Sequence, residues 1–523
     1  MMRKMLWAET GLKARLRLAA GALALSLALV FTGCGGGVVA RTDTLIVAQG
    51  AMPTNLDPTL SNDIPTATLI FHIYDTLVYV DYDMMPRPNL ATSWEWVDPA
   101  NPDQLRVFLR QGVLFHNGDE LTASDVAFSL NRASVAPIIG GIASMIQNVS
   151  VVNDHEVLIT LEFPFVPFVN FLGHTALSIV NERVITEIGE AAHSQAPVGT
   201  GPFRLTNIVT GDRVEFVRWD YFWGEPAIVE NLIVRVLADA STRLIALETG
   251  EIDIMLGVPP TDMSRIAGHP ELTLFHEENF STNYIAFNTS RPPFDDVRVR
   301  HAVQYAIDLD AMVQAVYLGA LAPTTGPINS RVWASATDRL EPFAFNPERA
   351  RELLAEAGFP NGFSTVFFTN QGNPQRADTG EIMQNMLRDV GIDMAVQILE
   401  WGAFLDASDR GEPDILMIGW VTSTGDPDHG LWANFHSSNL GAGGNRAFFV
   451  NAQVDALLEA GRRETDPAAR AEIYYQVQRI IRDESPWIFQ SAGSEIIGIR
   501  NNVQGFRVAP NQRHKFWTLS FTG

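Results

Sequence analysis

The 523-residue chain holds one cysteine, Cys34. An internal disulfide and a cysteine-ligated metal cluster are both excluded. Cations are scarce: 37 Lys and Arg stand against 60 Asp and Glu, a formal charge of −23. Nucleic acid demands a basic surface to neutralise its phosphates, so no nucleic-acid partner is expected. After residue 33 no uncharged apolar run approaches the roughly 20 residues of a membrane helix. Catalytic signatures are missing as well: there is no G-x-x-x-x-G-K-[ST], no H-E-x-x-H and no G-x-S-x-G. What is present is a globular composition, 46% hydrophobic and 19% charged. That excludes a mostly disordered chain and, at this length, allows two to four domains.

Residues 1–33 read as a leader rather than as fold. Arg3, Lys4, Lys13, Arg15 and Arg17 precede an uncharged stretch from Leu18 to Thr32, short for a membrane span but sufficient for a signal segment. The small residues before Cys34 resemble the lipobox of bacterial lipoproteins, which implies cleavage before Cys34 and acylation of its thiol. Phe31 departs from the usual Leu, and an ordinary secretory peptide is the alternative. Residues 34–42 are expected to form a flexible tether. Removal of the leader takes the formal charge from −23 to −27.

Along the chain, short strands and capped helices alternate. Strands are predicted over 44–48, 104–110, 157–161, 252–255, 394–398 and 415–420. Thr122 and Asp125 form a capping-box pattern, Asp239 and Gly250 bracket a helix, and Asn346-Pro347 opens another whose Ala350, Leu353, Leu354 and Ala357 make one apolar stripe. Stripes at 382–390 and 473–480 predict two more. Such alternation implies mixed α/β layers.

Direct chemical candidates are few. His429 and His436, near Asp426 and Asp428, lie seven apart, which is not a standard ligand spacing; they read as hydrogen-bonded loop histidines. Glu277-Glu278 and Asp295-Asp296 read as solvated neighbours rather than a catalytic pair, and 441–444 as a surface turn.

Seven segments, taken in order, resemble the solute-binding proteins of ABC transporters that carry peptides, nickel chelates and some oligosaccharides. They are PTNLDP from Pro53, QLRVFLRQGVLFHNGDELTASDVAFSL from Gln104, VGTGPFRL from Val198, ALETGEIDI from Ala246, FDDVRVRHAVQYAIDLD from Phe294, FNPERARELLAEAGFPNGF from Phe345 and GWVTSTGDPD from Gly419. The resemblance implies an α/β, two-lobed periplasmic-binding-protein-like fold of class II with a central ligand cleft. Lobe I would take 43–78, 196–288 and 489–523, with an inserted subdomain at 79–195; lobe II would take 289–488, and the crossings near 288 and 489 would be the hinge. It further implies a non-enzymatic monomer without cofactor or metal, working with ABC permease subunits. It would sit in the periplasm or on the outer face of the cytoplasmic membrane, anchored through Cys34.

Ligands of α/β proteins collect near the carboxyl ends of strands. Trp420 ends a buried strand, and the polar loop beyond it offers Ser423, Thr424 and Asp426. Asn283 and Tyr284 precede the expected hinge, and Trp401 offers an apolar wall; for each aromatic, core packing is the rival role. Peptide-binding members place an Asp three residues after the tryptophan matching Trp420, to hold the peptide's α-ammonium. Here that position is Ser423. The Arg with which dipeptide members hold the α-carboxylate falls on Asn370. A buried ammonium without a counter-charge costs several kcal/mol, so a free dipeptide held by both ends is disfavoured unless Asp426 substitutes. The expected ligand is a peptide or peptide-like solute. The alternatives are a nickel chelate or oligosaccharide and, from another class, a secreted hydrolase with an acidic cleft.

Overall fold

Ten strands form one mixed sheet through the residues this computed structural model describes, 43–522. The expected leader, the tether and Cys34 lie outside the described residues. From one edge the strands run Ile392–Leu399, Phe363–Asn370, Ile415–Val421, Leu272–Phe287, Trp487–Arg500, Ile254–Leu256, Thr44–Gln49, Asn231–Val236, Arg213–Arg218 and Phe203–Val209. The first three pair in parallel, as do Ile254–Leu256, Thr44–Gln49 and Asn231–Val236. Each half of the sheet thus holds a parallel core built through helical crossovers.

Two long antiparallel strands, Leu272–Phe287 and Trp487–Arg500, join the halves. Their Ser281–Phe287 and Ile497–Ile499 portions pair with opposite halves. Between these portions the register breaks, from Glu278 to Thr282 and again from Asn283 to Tyr284. Gly493 faces the break; a Cβ there would collide with the Ser281 hydroxyl at 1.7 Å. Glycine lets the two backbones close up where the pairing is irregular.

A second, four-stranded antiparallel sheet (Ala91–Trp96, Gln104–Leu109, Glu156–Leu161, Ile146–Asn153) carries its own core. Helix Ala123–Ser134, opened by the Thr122–Asp125 capping box, buries Val126 and Leu130 against it. Elsewhere the caps act as their residue types dictate. Asn346 accepts the Arg349 amide at 3.0 Å ahead of Pro347–Glu356, a cap that contributes about 1 kcal/mol. Gly250 takes a left-handed conformation that ends Ala240–Thr249. Helix Pro427–Phe435, where the sequence reads as loop, has every residue buried and so shows no amphipathic stripe. Among the described residues no single helix is long and apolar enough to cross a membrane.

Two buried histidines tie distant segments together in their neutral form. His72 holds the Thr68 carbonyl with Nδ1 at 2.7 Å and accepts the Phe516 amide at Nε2 at 3.2 Å. His116 holds the Gly201 carbonyl with Nε2 at 2.9 Å and accepts the Gly199 amide at Nδ1. A second ring proton would confront a backbone N–H in either case. Burial lowers both pKa values to about 4. The unfolded chain, with histidines near 6.5, takes up protons first, so stability present above that pH is lost as pH falls from about 6.5 toward 4. The loss is up to about 1.4 kcal/mol per pH unit for each histidine. Urea midpoints measured from pH 7.5 to 5 should fall with an unchanged slope m; a flat profile would contradict the neutral pairing.

Candidate ligand-binding site

A cavity of about 360 Å³ opens at the carboxyl ends of parallel strands from both halves of the sheet. Gln49, Leu256, Asn370 and Val421 are the last residues of their strands, and all four line it. At these ends side chains leave the sheet and the chain turns into loops or helices, so polar groups can converge without breaking a ladder. His174 and Thr175, beside the four-stranded sheet, add a third wall.

The halves touch around this space. The Trp401 indole donates to Asp63 Oδ1 at 3.2 Å. An Arg243 guanidinium N–H donates to the Gly372 carbonyl at 3.3 Å, and Gly372, at φ +87°, packs on Gly50 so closely that a Cβ on Gly50 would lie 3.0 Å from its oxygen. Asn170 donates to the Thr424 carbonyl at 3.2 Å. The cavity is therefore enclosed by contacts between halves rather than carved into one of them.

Five of the sequence-selected residues line it: Trp420, Ser423, Asn283, Asn370 and Trp401. The Trp420 indole N–H and the Ser423 hydroxyl are buried and have no protein partner. Asn283 donates to the Ser491 hydroxyl at 3.1 Å. Three residues are placed elsewhere. Tyr284 is fully buried and stacked on Trp487 with ring centroids 3.4 Å apart, its hydroxyl pKa pushed up to about 12 by burial. Thr424 is buried, its hydroxyl taken by the Asp426 amide and its carbonyl by Asn170. Asp426 caps helix Pro427–Phe435 and takes two N–H groups of Arg470 at 2.7 Å each. It is spent on the fold and does not stand in for a missing ammonium anchor. Asp428 is similarly committed to Arg462, a fully buried pair stacked on Trp432.

His429 differs from its sequence reading. It lies in a helix, lines the cavity, and neither ring nitrogen has a partner. Its ring stands 5.1 Å from that of His174 and 5.5 Å from that of Trp420. Burial first, and then nearby Arg513, holds its pKa down to about 3. Burial lowers His174 likewise. Both rings are neutral at physiological pH.

The sequence reading missed the cavity's arginines. Arg376 occupies the first turn of helix Pro374–Arg388 and donates to Asn370 Oδ1 at 2.6 Å. Its cation thus stands beside the residue where the family's carboxylate-binding Arg was expected. Its Nε is buried without a partner, and burial lowers its pKa with only Tyr317 and Tyr284 opposing. A legible signal was present: a cation in a helix's first turn, with no acid there, opposes the helix dipole. Arg446, by contrast, is paired with Asp409 at 2.8 Å.

Removing an uncompensated, partly buried charge relieves its desolvation. Arg376→Met should therefore stabilise protein freed of ligand by denaturation and refolding by on the order of 1 kcal/mol and raise its melting temperature. Differential scanning calorimetry checks this; a loss of stability would show that the guanidinium is already balanced.

Residues 85–442 match the family described as bacterial extracellular solute-binding proteins, family 5 Middle. The chain is 30% identical over 464 residues to heme-binding protein A of Haemophilus influenzae, covering 83% of this chain and 84% of that one. It is 30% identical over 483 residues to the glutathione-binding protein GsiB of Salmonella typhi, covering 90% and 93%. The periplasmic binding protein DppA of Helicobacter pylori, solved with the peptide STSA, superposes with a TM-score of 0.86 at 27% identity, over 91% of this chain and 98% of that one. Its fold is the two-lobed one that the sequence implies, and the chain belongs to family 5 of the bacterial extracellular solute-binding proteins.

Proposed function

We propose that this chain is the extracytoplasmic solute-binding component of an ABC importer. It captures a peptide or peptide-like ligand between two lobes and delivers it to a membrane permease. One observation carries this reading: the enclosed cavity is lined from both halves of the sheet by polar groups that have no protein partner. Buried donors are almost always satisfied, so partners supplied by a ligand account for them. A ligand that touches both walls favours the closed arrangement by its differential affinity. GsiB is named for a tripeptide and the DppA complex holds a peptide, which supports the ligand class. Nothing in this role requires a bond to be made or broken.

The lobes follow the expected division, with lobe I taking 43–78, 196–280 and 493–523 around the inserted subdomain at 79–195 and lobe II taking 281–492. The crossings expected near 288 and 489 shift to the register breaks between Glu278 and Tyr284, opposite Gly493, because Ser281–Phe287 already pairs with Ile415–Val421 of the other half; those breaks support a hinge within the two joining strands. Residues 1–33 are the leader and Cys34 the acylated anchor, which would hold the monomer in the periplasm or at the outer face of the cytoplasmic membrane.

A second reading, a nickel chelate, is favoured by the two neutral imidazoles His174 and His429 at the cavity wall. Among the described residues no three His, Cys, Asp or Glu side chains gather to hold a metal ion by themselves, so the chelator would supply the remaining ligands.

Trp401 and Trp420 report on the cavity. Titration of a peptide library into the refolded protein should change tryptophan fluorescence saturably, and native mass spectrometry should recover the bound peptide chemically unchanged. Saturation by Ni(II)-histidine alone would select the second reading. A ligand cleaved on incubation, or no saturable response to any of these, would contradict binding-and-delivery.

A further inference from the structure

The cavity holds positive charge that the protein does not neutralise. Arg376 lies on the helix Pro374–Arg388, in the half of the sheet with Phe363–Asn370; its Nε is buried and unpartnered, and no carboxylate pairs with it among the described residues. The helix it opens has no acidic residue in its first turn, and Asn373 makes no capping bond with its side chain. Dipole and guanidinium therefore add at one spot. Arg513 belongs to the carboxyl-terminal segment that packs near the opposite half. Only 7% of it is exposed, and its Nη1 is buried without a partner.

The acids that might answer these cations are already engaged. Asp63, whose charge opposes the burial of Arg513, accepts four donors: the Thr66 amide at 3.0 Å, the Trp401 indole at 3.2 Å, and the Ser61 and Thr54 hydroxyls at 2.6 and 2.8 Å. Glu495 stands 3.4 Å from both His514 and Asn279. Asp426 and Asp428 are bound to Arg470 and Arg462. Asp63 is thus saturated with donors and Glu495 faces His514 and Asn279, while three guanidinium groups on the cavity walls, Arg243, Arg376 and Arg513, each keep a buried N–H without a partner.

We propose that this cavity selects solutes carrying two anionic groups and no free ammonium, one anion bound by Arg376 and the other by Arg513, so that the solute's two ends draw the lobes together. This rests on the solute-binding reading above and names the ligand class within it. Burial, which lowers the pKa of Arg513 to about 10, makes an incoming anion the favourable way to restore solvation lost by that group. Trp420 and Ser423, with their unpartnered N–H and hydroxyl, lie on the same wall as His429 and add neutral donors to an anion there. An ammonium group placed among these groups would meet neutral acceptors, the Ser423 hydroxyl and the unprotonated His429 nitrogen, and no carboxylate.

Isothermal titration of the refolded protein with alanine peptides of increasing length separates the possibilities. Each is made with an N-succinyl group, which puts a carboxylate at either end, or with an N-acetyl group, which leaves one carboxylate at the carboxyl terminus. At the length that spans the cavity the succinyl series should bind about tenfold or more tightly than the acetyl series. A free amino terminus in place of either group should weaken binding. Arg376→Gln and Arg513→Gln should each abolish the succinyl preference and flatten the salt dependence of binding, with Arg513→Lys restoring part of it. Retained circular dichroism and a melting temperature no lower than that of the unsubstituted protein exclude misfolding as the cause. If succinyl and acetyl peptides bind equally, or the free amine binds better, the diacid proposal fails and the solute-binding reading stands. If no peptide of either series binds saturably, both fall.

Discussion

The binding site exists because two halves of one sheet meet across a gap that two strands span. Leu272–Phe287 and Trp487–Arg500 pair with each other along most of their length, yet the first finds its other neighbour, Ile415–Val421, in one half and the second finds its own, Ile254–Leu256, in the other. Their pairing is regular where they sit within a half and irregular between Glu278 and Tyr284, where the halves meet. The hinge proposed there would constrain where the walls can go while leaving the angle between them soft. The cavity contacts between the halves, from Trp401–Asp63 to Arg243–Gly372, would depend on that angle.

Charge is what we propose decides which solute the walls hold. The protein as a whole is strongly acidic, with a formal charge of −23, and an acidic surface repels acidic solutes at long range. The cavity reverses this locally by surrounding its own acids with donors, leaving Arg376 with no carboxylate and Arg513 with only Asp63 opposing its burial. The structural ion pairs Asp428–Arg462 and Asp426–Arg470 show the contrast: the same residue types, buried in the same region, meet as matched pairs and contribute to packing rather than to recognition.

Most of the scaffold was legible in the sequence because it rests on local chemistry. The capping box at Thr122, the Asn346-Pro347 start and the apolar run 415–420 each specify an element without reference to the rest of the chain, and each is found within a residue or two. Helix Pro427–Phe435 escaped because burial on every side erases periodicity; the Asp426-Pro427 pair was its one local mark. The joining strands were seen only in part, since the polar run around Glu277 and Glu278 breaks the apolar pattern where the strand leaves one half for the other. At the site, Trp420 followed from its place at the end of a strand and Asn370 from the resemblance to dipeptide-binding members. Arg376 and Arg513 did not, because an arginine's importance here lies in the carboxylates that fail to meet it, a fact of three dimensions. Tyr284 had the right position and the wrong face: alternation along the strand turns it onto Trp487 while Asn283 faces the cavity.

Small-angle X-ray scattering of the refolded, ligand-free protein, repeated after saturation with a bound solute, addresses the central claim most directly. If captured solute is what holds the two halves together, the radius of gyration falls on binding and the scattering of the saturated form matches the closed structure described here. Saturated binding with no change in radius of gyration would show that the halves are held shut by their own contacts, and the clamp account would be wrong.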